Sequence, residues 1–273
     1  AAGRARPGPL SGATLVAAEL PRHADVVVIG GGIIGCSVAY HLTRQACSDV
    51  VVLERKQLTC GTTWHAAGLV GQLRPSFRMT QLAKYTAELY RGLEAETGQA
   101  TGFKQNGSVS LATNESRFEE LRRNASMAKV FGLQVDVLTP ADVHGLYPLV
   151  NTADVVGAVH IPSDGQANPI DLTQALAKGA RARGARILEN VKVTRLLRQG
   201  QSVTQVETSQ GVIVADRVVL CTGMWTRDLA ASIGIHVPLH ACEHFYIVTD
   251  DIAGVGPSLP VLRDYDACTY YKE

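Results

Sequence analysis

An α/β fold is predicted by three observations. An apolar strand runs into a glycine-rich turn and out into an apolar helix at Val26–Leu42 (VVVIGGGIIGCSVAYHL). A second apolar strand, Val50–Leu53, closes on an acid, Glu54, and the later chain alternates an Ala-rich helix with short β-rich runs. Strand, helix and strand in that order make the βαβ start of a Rossmann-like sheet. Each glycine of the turn has a mechanical reason: Gly30 makes the tight turn, Gly32 lets backbone approach a pyrophosphate, and Gly35 lets helix and strand pack closely. A pyrophosphate would sit on the helix N-terminus, where free N–H groups and the helix dipole favour an anion. Glu54 follows at the usual distance of about 20 residues, placed to accept from ribose hydroxyls.

The chain has 273 residues, of which 46% are hydrophobic, enough for a substantial core and for two domains. Its formal net charge of +1 favours neither nucleic acid nor an anionic membrane surface as partner. No apolar run approaches the ~18–20 residues that span a bilayer. Six cysteines (Cys36, Cys47, Cys60, Cys221, Cys242, Cys268) lack any CxxC or Cys/His metal spacing, which predicts reduced thiols, no metal site and a reducing compartment. The first 18 residues carry Arg4 and Arg6 and no acid, a composition compatible with the remains of a mitochondrial transit peptide. A start without methionine and a stop just after a strand-like aromatic run predict a fragment of a longer protein.

After Glu54 a simple nicotinamide-binding rhythm would continue with another helix and strand, but Thr59–Gly71 (TCGTTWHAAGLVG) is rich in Gly, Thr and small residues. It reads as a loop lying across a ligand. Gln81–Glu96 places Leu82, Tyr85, Leu89 and Leu93 on one helical face. A strand at Ser108–Ala112, a charged helix at Arg117–Phe131, a short helix opened by Thr139-Pro140 and a strand at Gly157–Ile161 follow. Asn168-Pro169 starts the helix Ile170–Arg183, whose small face suits packing on a sheet. Strands are then expected at Arg186–Leu188, Val191–Leu197, Val203–Thr208, Val212–Val214 and Val218–Cys221. The strand VVLCTG ends at Gly223, a second place where backbone could approach a cofactor, and a helix restarts near Trp225. His236–Asp250 (HVPLHACEHFYIVTD) reads as a strand of alternating polarity, and Pro260–Tyr271 as another extended segment.

With the glycine-rich start, GTTWHAAGL and VPLHACEHFYIVT in view, the chain resembles the sarcosine and dimethylglycine dehydrogenase family from Asp25 to Glu273. The resemblance implies FAD as cofactor, joined covalently through His65 of the TWH triplet. It also implies hydride transfer from an N-methyl glycine-type amine to flavin N5. His244 and Tyr270 match the family's active-site His and Tyr, His244 to accept or relay a proton and Tyr270 to orient the amine. Val193 is implied to flank the adenine with its backbone. Read without the resemblance, His65 is one of eight histidines, His244 a core-facing His and Tyr270 a strand Tyr.

The architecture implied is an α/β FAD-binding domain of segments 22–80 and 164–235, with an interleaved α+β substrate domain of 81–163 and 236–273 and a leader or tail at 1–21. An electron-transfer acceptor fits a dehydrogenase, tetrahydrofolate would act only through domains beyond Glu273, and the implied location is the mitochondrial matrix. HACEHFY also resembles the regulatory subunit of pyruvate dehydrogenase phosphatase, a related member in which the fold serves regulation, so a non-catalytic regulatory subunit is the alternative. That member is expected to lack the full TWH triplet, which this chain keeps at Trp64-His65.

Overall fold

The computed structural model describes residues 19–273; the leader-like composition of residues 1–18 lies outside the described residues. The chain begins with strand β1 (His23–Ile29), helix α1 (Ile33–Arg44) and strand β2 (Val50–Leu53). A 3-10 turn at Thr63–His65 and the short β3 (Leu69–Val70) lead to helix α2 (Phe77–Thr97). Next come β4 (Ser108–Ala112), α3 (Glu115–Val130), β5 (Asp136–Leu138), α4 (Pro140–Leu146), β6 (Gly157–Ile161) and β7 (Gly165–Gln166). Helix α5 (Pro169–Ala182) precedes β8 (Arg186–Leu188), β9 (Val193–Gln199), β10 (Ser202–Thr208) and β11 (Gly211–Leu220). A 3-10 turn at Gly223–Trp225, helix α6 (Thr226–Ala231), β12 (Val261–Asp264) and β13 (Thr269–Tyr271) complete it.

The strands form a six-stranded sheet, β8-β2-β1-β11-β10-β9, a five-stranded sheet, β13-β12-β4-β6-β5, and a ribbon of β3 and β7. In the large sheet β8, β2, β1 and β11 run parallel, and β11, β10 and β9 continue as an antiparallel meander. The two central strands, β1 and β2, are buried on both faces along most of their length, so Val26–Ile29 and Val50–Leu53 read as unbroken apolar runs. Val26, Val28, Val50 and Val52 face α1 and α5, while Val27, Ile29, Val51 and Leu53 pack with Leu196, Val206 and Ile213 of the meander. Close contact of α5 with α1 needs a missing side chain: a Cβ on Gly179 would stand 2.8 Å from the Tyr40 ring.

Helix starts follow local chemistry. Asn168 caps α5 by accepting from the N–H groups of Ile170 and Asp171, Asn114 caps α3, and Thr139 with Asp142 forms a capping box at α4. Three expectations change. Val212–Val214 and Val218–Cys221 merge into one ten-residue strand, because β11 pairs with β10 at its start and with β1 at its end. Helix α2 runs through position 80, where the sequence placed a domain boundary, and buries Leu93 in the large sheet's core while Leu82 and Tyr85 stay exposed. His236–Asp250 forms no strand and is largely exposed, with Phe245 and Ile247 both 90% accessible. Alternation alone does not make a strand; among the described residues no neighbouring chain offers this segment a hydrogen-bond ladder. No helix among the described residues is long and apolar enough to cross a membrane.

Candidate cofactor and substrate site

At the carboxyl ends of the parallel strands, Ile29 lies beside both Leu53 and Leu220, so the chain leaves β1, β2 and β11 at one edge. Gly30 has φ of +113°, and a Cβ there would stand 2.3 Å from the Cys221 carbonyl oxygen. A Cβ on Gly35 would stand 1.9 Å from the Gly30 carbonyl oxygen. Both glycines therefore serve close approach of backbone to backbone. Gly32 differs: a Cβ there would meet only the Thr63 hydroxyl, at 2.9 Å. The N–H groups of Gly32 and Ile34 have no protein acceptor among the described residues, so the turn and the start of α1 offer donors over open space.

Glu54 is buried, and its carboxylate accepts from the Gly31 N–H at 2.7 Å and the Lys56 N–H at 3.0 Å. The Cys60 thiol also donates to it, at 3.4 Å, so Glu54 braces the glycine turn against the loop that follows β2 and keeps one acceptor position for a hydroxyl. The Asn190 and Val191 N–H groups donate to the carbonyls of Lys56 and Glu54, each at 2.8 Å, which sets Val193 just past the Glu54 corner at the start of β9. Gly223, with φ of +55°, begins the 3-10 turn after β11, 3.8 Å from the Thr62 hydroxyl when a Cβ is placed on it. Gly30, Gly32, Gly35, Glu54, Val193 and Gly223 are thus gathered at one edge of the large sheet.

Residues the sequence reading passed over hold the loop in place. The Thr63 hydroxyl accepts from the Ile33 N–H at 3.1 Å, and the Thr59 N–H donates to the Gly31 carbonyl at 3.1 Å. Thr59 has φ of +72°, a strained state for a β-branched residue that the surrounding contacts must impose. The Arg55 guanidinium lies 4.0 Å from the Trp225 ring centroid, and Trp225 in turn lies against Gly61. Only backbone partners and a distant aromatic reveal these roles, so no spacing rule exposes them. Burial pushes the Cys36 thiol up to about 12, and burial followed by the charge of Glu54 raises Cys60, so neither is a ready nucleophile.

His65 ends the 3-10 turn that Thr63 begins. Its ring stacks on Trp64, with centroids 3.6 Å apart, and its Nδ1 lies 3.2 Å from the Tyr246 hydroxyl. The chain continues into β3, beside a cleft of about 330 Å³ lined by Leu69, Gly71, Arg74 and Leu82 among others. His244, two residues from Tyr246, is exposed and makes no side-chain hydrogen bond among the described residues. Tyr270 sits half exposed on β13, directly across from Arg263. The structure brings His65 to the His244 segment through Tyr246 and shows no contact of Tyr270 with either. Asp164, 1% exposed, accepts from the Gln72 N–H at 2.8 Å and the Ser108 hydroxyl at 2.7 Å. Burial holds its carboxyl above the usual range, although Ser108, Gln72 and Arg263 pull the other way.

A parallel sheet ending in a glycine turn, a helix N-terminus and a braced acid defines a dinucleotide-binding α/β protein. Residues 25–272 match the FAD dependent oxidoreductase (DAO) model, and the chain belongs to that family. It is 45% identical to a 4-methylaminobutanoate oxidase (formaldehyde-forming) of Paenarthrobacter nicotinovorans, over 93% of this chain and 31% of that protein. Human mitochondrial sarcosine dehydrogenase is 42% identical, over 93% of this chain and 28% of its own length. The mouse mitochondrial pyruvate dehydrogenase phosphatase regulatory subunit is 40% identical, over 84% and 26%. The chain thus spans less than a third of these relatives. Among solved structures, L-proline dehydrogenase from P. horikoshii superposes with a TM-score of 0.82 at 26% identity, over 93% of this chain and 68% of that one.

Proposed function

We propose that the chain forms the cofactor and amine site of an FAD-dependent dehydrogenase that oxidatively removes a methyl group from an N-methyl amino acid such as sarcosine or dimethylglycine. The observation that carries the reading is the 45%, 42% and 38% identity to three relatives named for 4-methylaminobutanoate, sarcosine and dimethylglycine. The residues present fit the ADP half of FAD: Gly32 and Ile34 would donate to the pyrophosphate, Glu54 would accept from the ribose, and Val193 and Gly223 would border it. Bound FAD supplies the hydride acceptor for the methyl carbon. His65 is the attachment point, held by the turn that Thr63 anchors to α1. His244 takes the proton from the substrate ammonium and Tyr270 orients the amine. The mitochondrial relatives support a place in the matrix, with an electron carrier as acceptor.

The test is to acid-precipitate and wash the full-length flavoprotein beside His65→Ala, then add sarcosine or dimethylglycine anaerobically to native protein. A yellow pellet lost in the variant and amine-dependent bleaching of the flavin are expected. The 40% identity to a regulatory subunit favours a second reading. In that case the flavin binds without being bleached by any N-methyl amino acid.

A further inference from the structure

Among the described residues, a single hydrogen bond joins the segment 236–250 to the rest of the fold: the Tyr246 hydroxyl lies 3.2 Å from His65 Nδ1. It links positions 181 residues apart, so it does not come with the 3-10 turn that carries His65. The flanking Phe245 and Ile247 are both 90% exposed, while Tyr246 is about half covered and meets the imidazole edge-on, with ring centroids 6.3 Å apart. On the imidazole's own side Trp64 stacks at 3.6 Å. Trp64 thus fixes the plane of the ring, Tyr246 engages one nitrogen, and Nε2 has no protein partner among the described residues.

The two nitrogens of a neutral imidazole have opposite roles, one carrying the proton and the other a free lone pair, and a partner on one decides the state of the other. Only the bare nitrogen can form a bond to carbon. A phenol hydroxyl suits Nδ1 both before and after such a bond, because it accepts from Nδ1–H at first and donates to the Nδ1 lone pair once that proton has gone. Resting on the covalent attachment proposed above, we infer that Tyr246 is the positioning residue of His65, holding the proton on Nδ1 and presenting Nε2 to the flavin methyl group. The Nε2–carbon bond forms as a C–H bond of that methyl group breaks. The methyl proton and the Nδ1 proton, the latter by way of the Tyr246 hydroxyl, end with the two released electrons on dioxygen as hydrogen peroxide.

The experiment uses full-length apoprotein made under riboflavin starvation, as the parent, Tyr246→Phe and Phe245→Ala, each mixed with FAD in air. Attachment is followed by flavin fluorescence of the denatured protein. The state of His65 is read separately, by nitrogen NMR of histidine-labelled apoprotein, its signals assigned by their loss in His65→Ala. Loss of one hydrogen bond predicts attachment slowed about 2- to 10-fold in Tyr246→Phe, with total FAD binding unchanged. Phe245→Ala should attach flavin at the parent's rate. In the apoprotein the parent should carry the His65 proton on Nδ1, and Tyr246→Phe should shift the population toward Nε2–H. Attachment at the parent's rate in Tyr246→Phe, equal slowing in Phe245→Ala, or a tautomer population that Tyr246→Phe leaves unchanged would each overturn the assignment. A parent that never attaches flavin yet shows the Tyr246-dependent tautomer would sink the proposed attachment and leave the positioning of His65 standing.

Discussion

Among the three glycines of the turn, neighbouring atoms separate two kinds of requirement. Gly35 has the Gly30 carbonyl 1.9 Å from where its Cβ would stand, so Gly35→Ala must push α1 away from β1. Overpacking of this kind costs about 1–3 kcal/mol, and the pushed helix also leaves the cofactor. Gly32→Ala meets only the Thr63 hydroxyl, whose hydrogen bond from the Ile33 N–H it would loosen, so its folding stability should fall by no more than about 1 kcal/mol. Its methyl nonetheless fills the space over the helix N-terminus, and FAD affinity of the apoprotein should fall about tenfold or more. Denaturant midpoints together with FAD titrations check both; a Gly32→Ala protein that binds FAD normally would show that the pyrophosphate lies elsewhere. The glycine spacing was legible in the sequence, because it reflects one local turn. The partners that brace it, Thr63 on Ile33 and Glu54 on Gly31, come from 30 and 23 residues away, and only the folded loop shows them.

Helices α1, α2 and α5 are tied by one polar cluster at the rim of their apolar contact. Glu96 of α2 accepts from the Tyr40 hydroxyl of α1 at 2.7 Å and pairs with Arg183 just after α5, whose guanidinium lies 5.1 Å from the Tyr40 ring centroid. Partial burial works against the Glu96 carboxylate, but the hydrogen bonds from Arg183 and Tyr40 outweigh it and hold its pKa below the ordinary 4.5. A group with a depressed folded pKa contributes stability that is complete above its unfolded value and lost as pH falls through the folded one. Stability should therefore decline as pH falls below about 4.5, and Glu96→Gln should flatten that part of the profile without changing the slope above it. Urea midpoints across that range measure it; parallel profiles for parent and variant would refute the cluster's role. The helices themselves were readable from their caps and apolar periods. That the α2 face splits, with Leu93 buried and Leu82 and Tyr85 exposed, was not, because a period locates an apolar face without saying how far along it the neighbour extends.

Across the whole molecule, the large sheet and the segment 236–250 lie at opposite extremes of order. Val27, Val28, Val51 and Val52 are fully buried in a parallel ladder, whereas Phe245, Ile247 and Val248 are at least 83% exposed and outside any strand. Amide hydrogens of 240–250 should exchange roughly a hundredfold or more faster than those of 26–29 and 50–53. Comparable protection would mean that a ladder partner covers the segment. By itself the sequence determined the βαβ start, the glycine turn, the distal acid, the helix caps and the apolar runs of the buried strands, since each depends on neighbours within a few residues or on a fixed period. Tertiary structure alone decided that β11 is one strand serving two neighbours, that His236–Asp250 has no ladder, and that Tyr246 reaches His65. Those facts depend on contacts between segments more than 90 residues apart in several cases, as with Gln72 and Asp164. Local physics fixes which elements can form; the partner that completes each one is set only when the chain closes on itself.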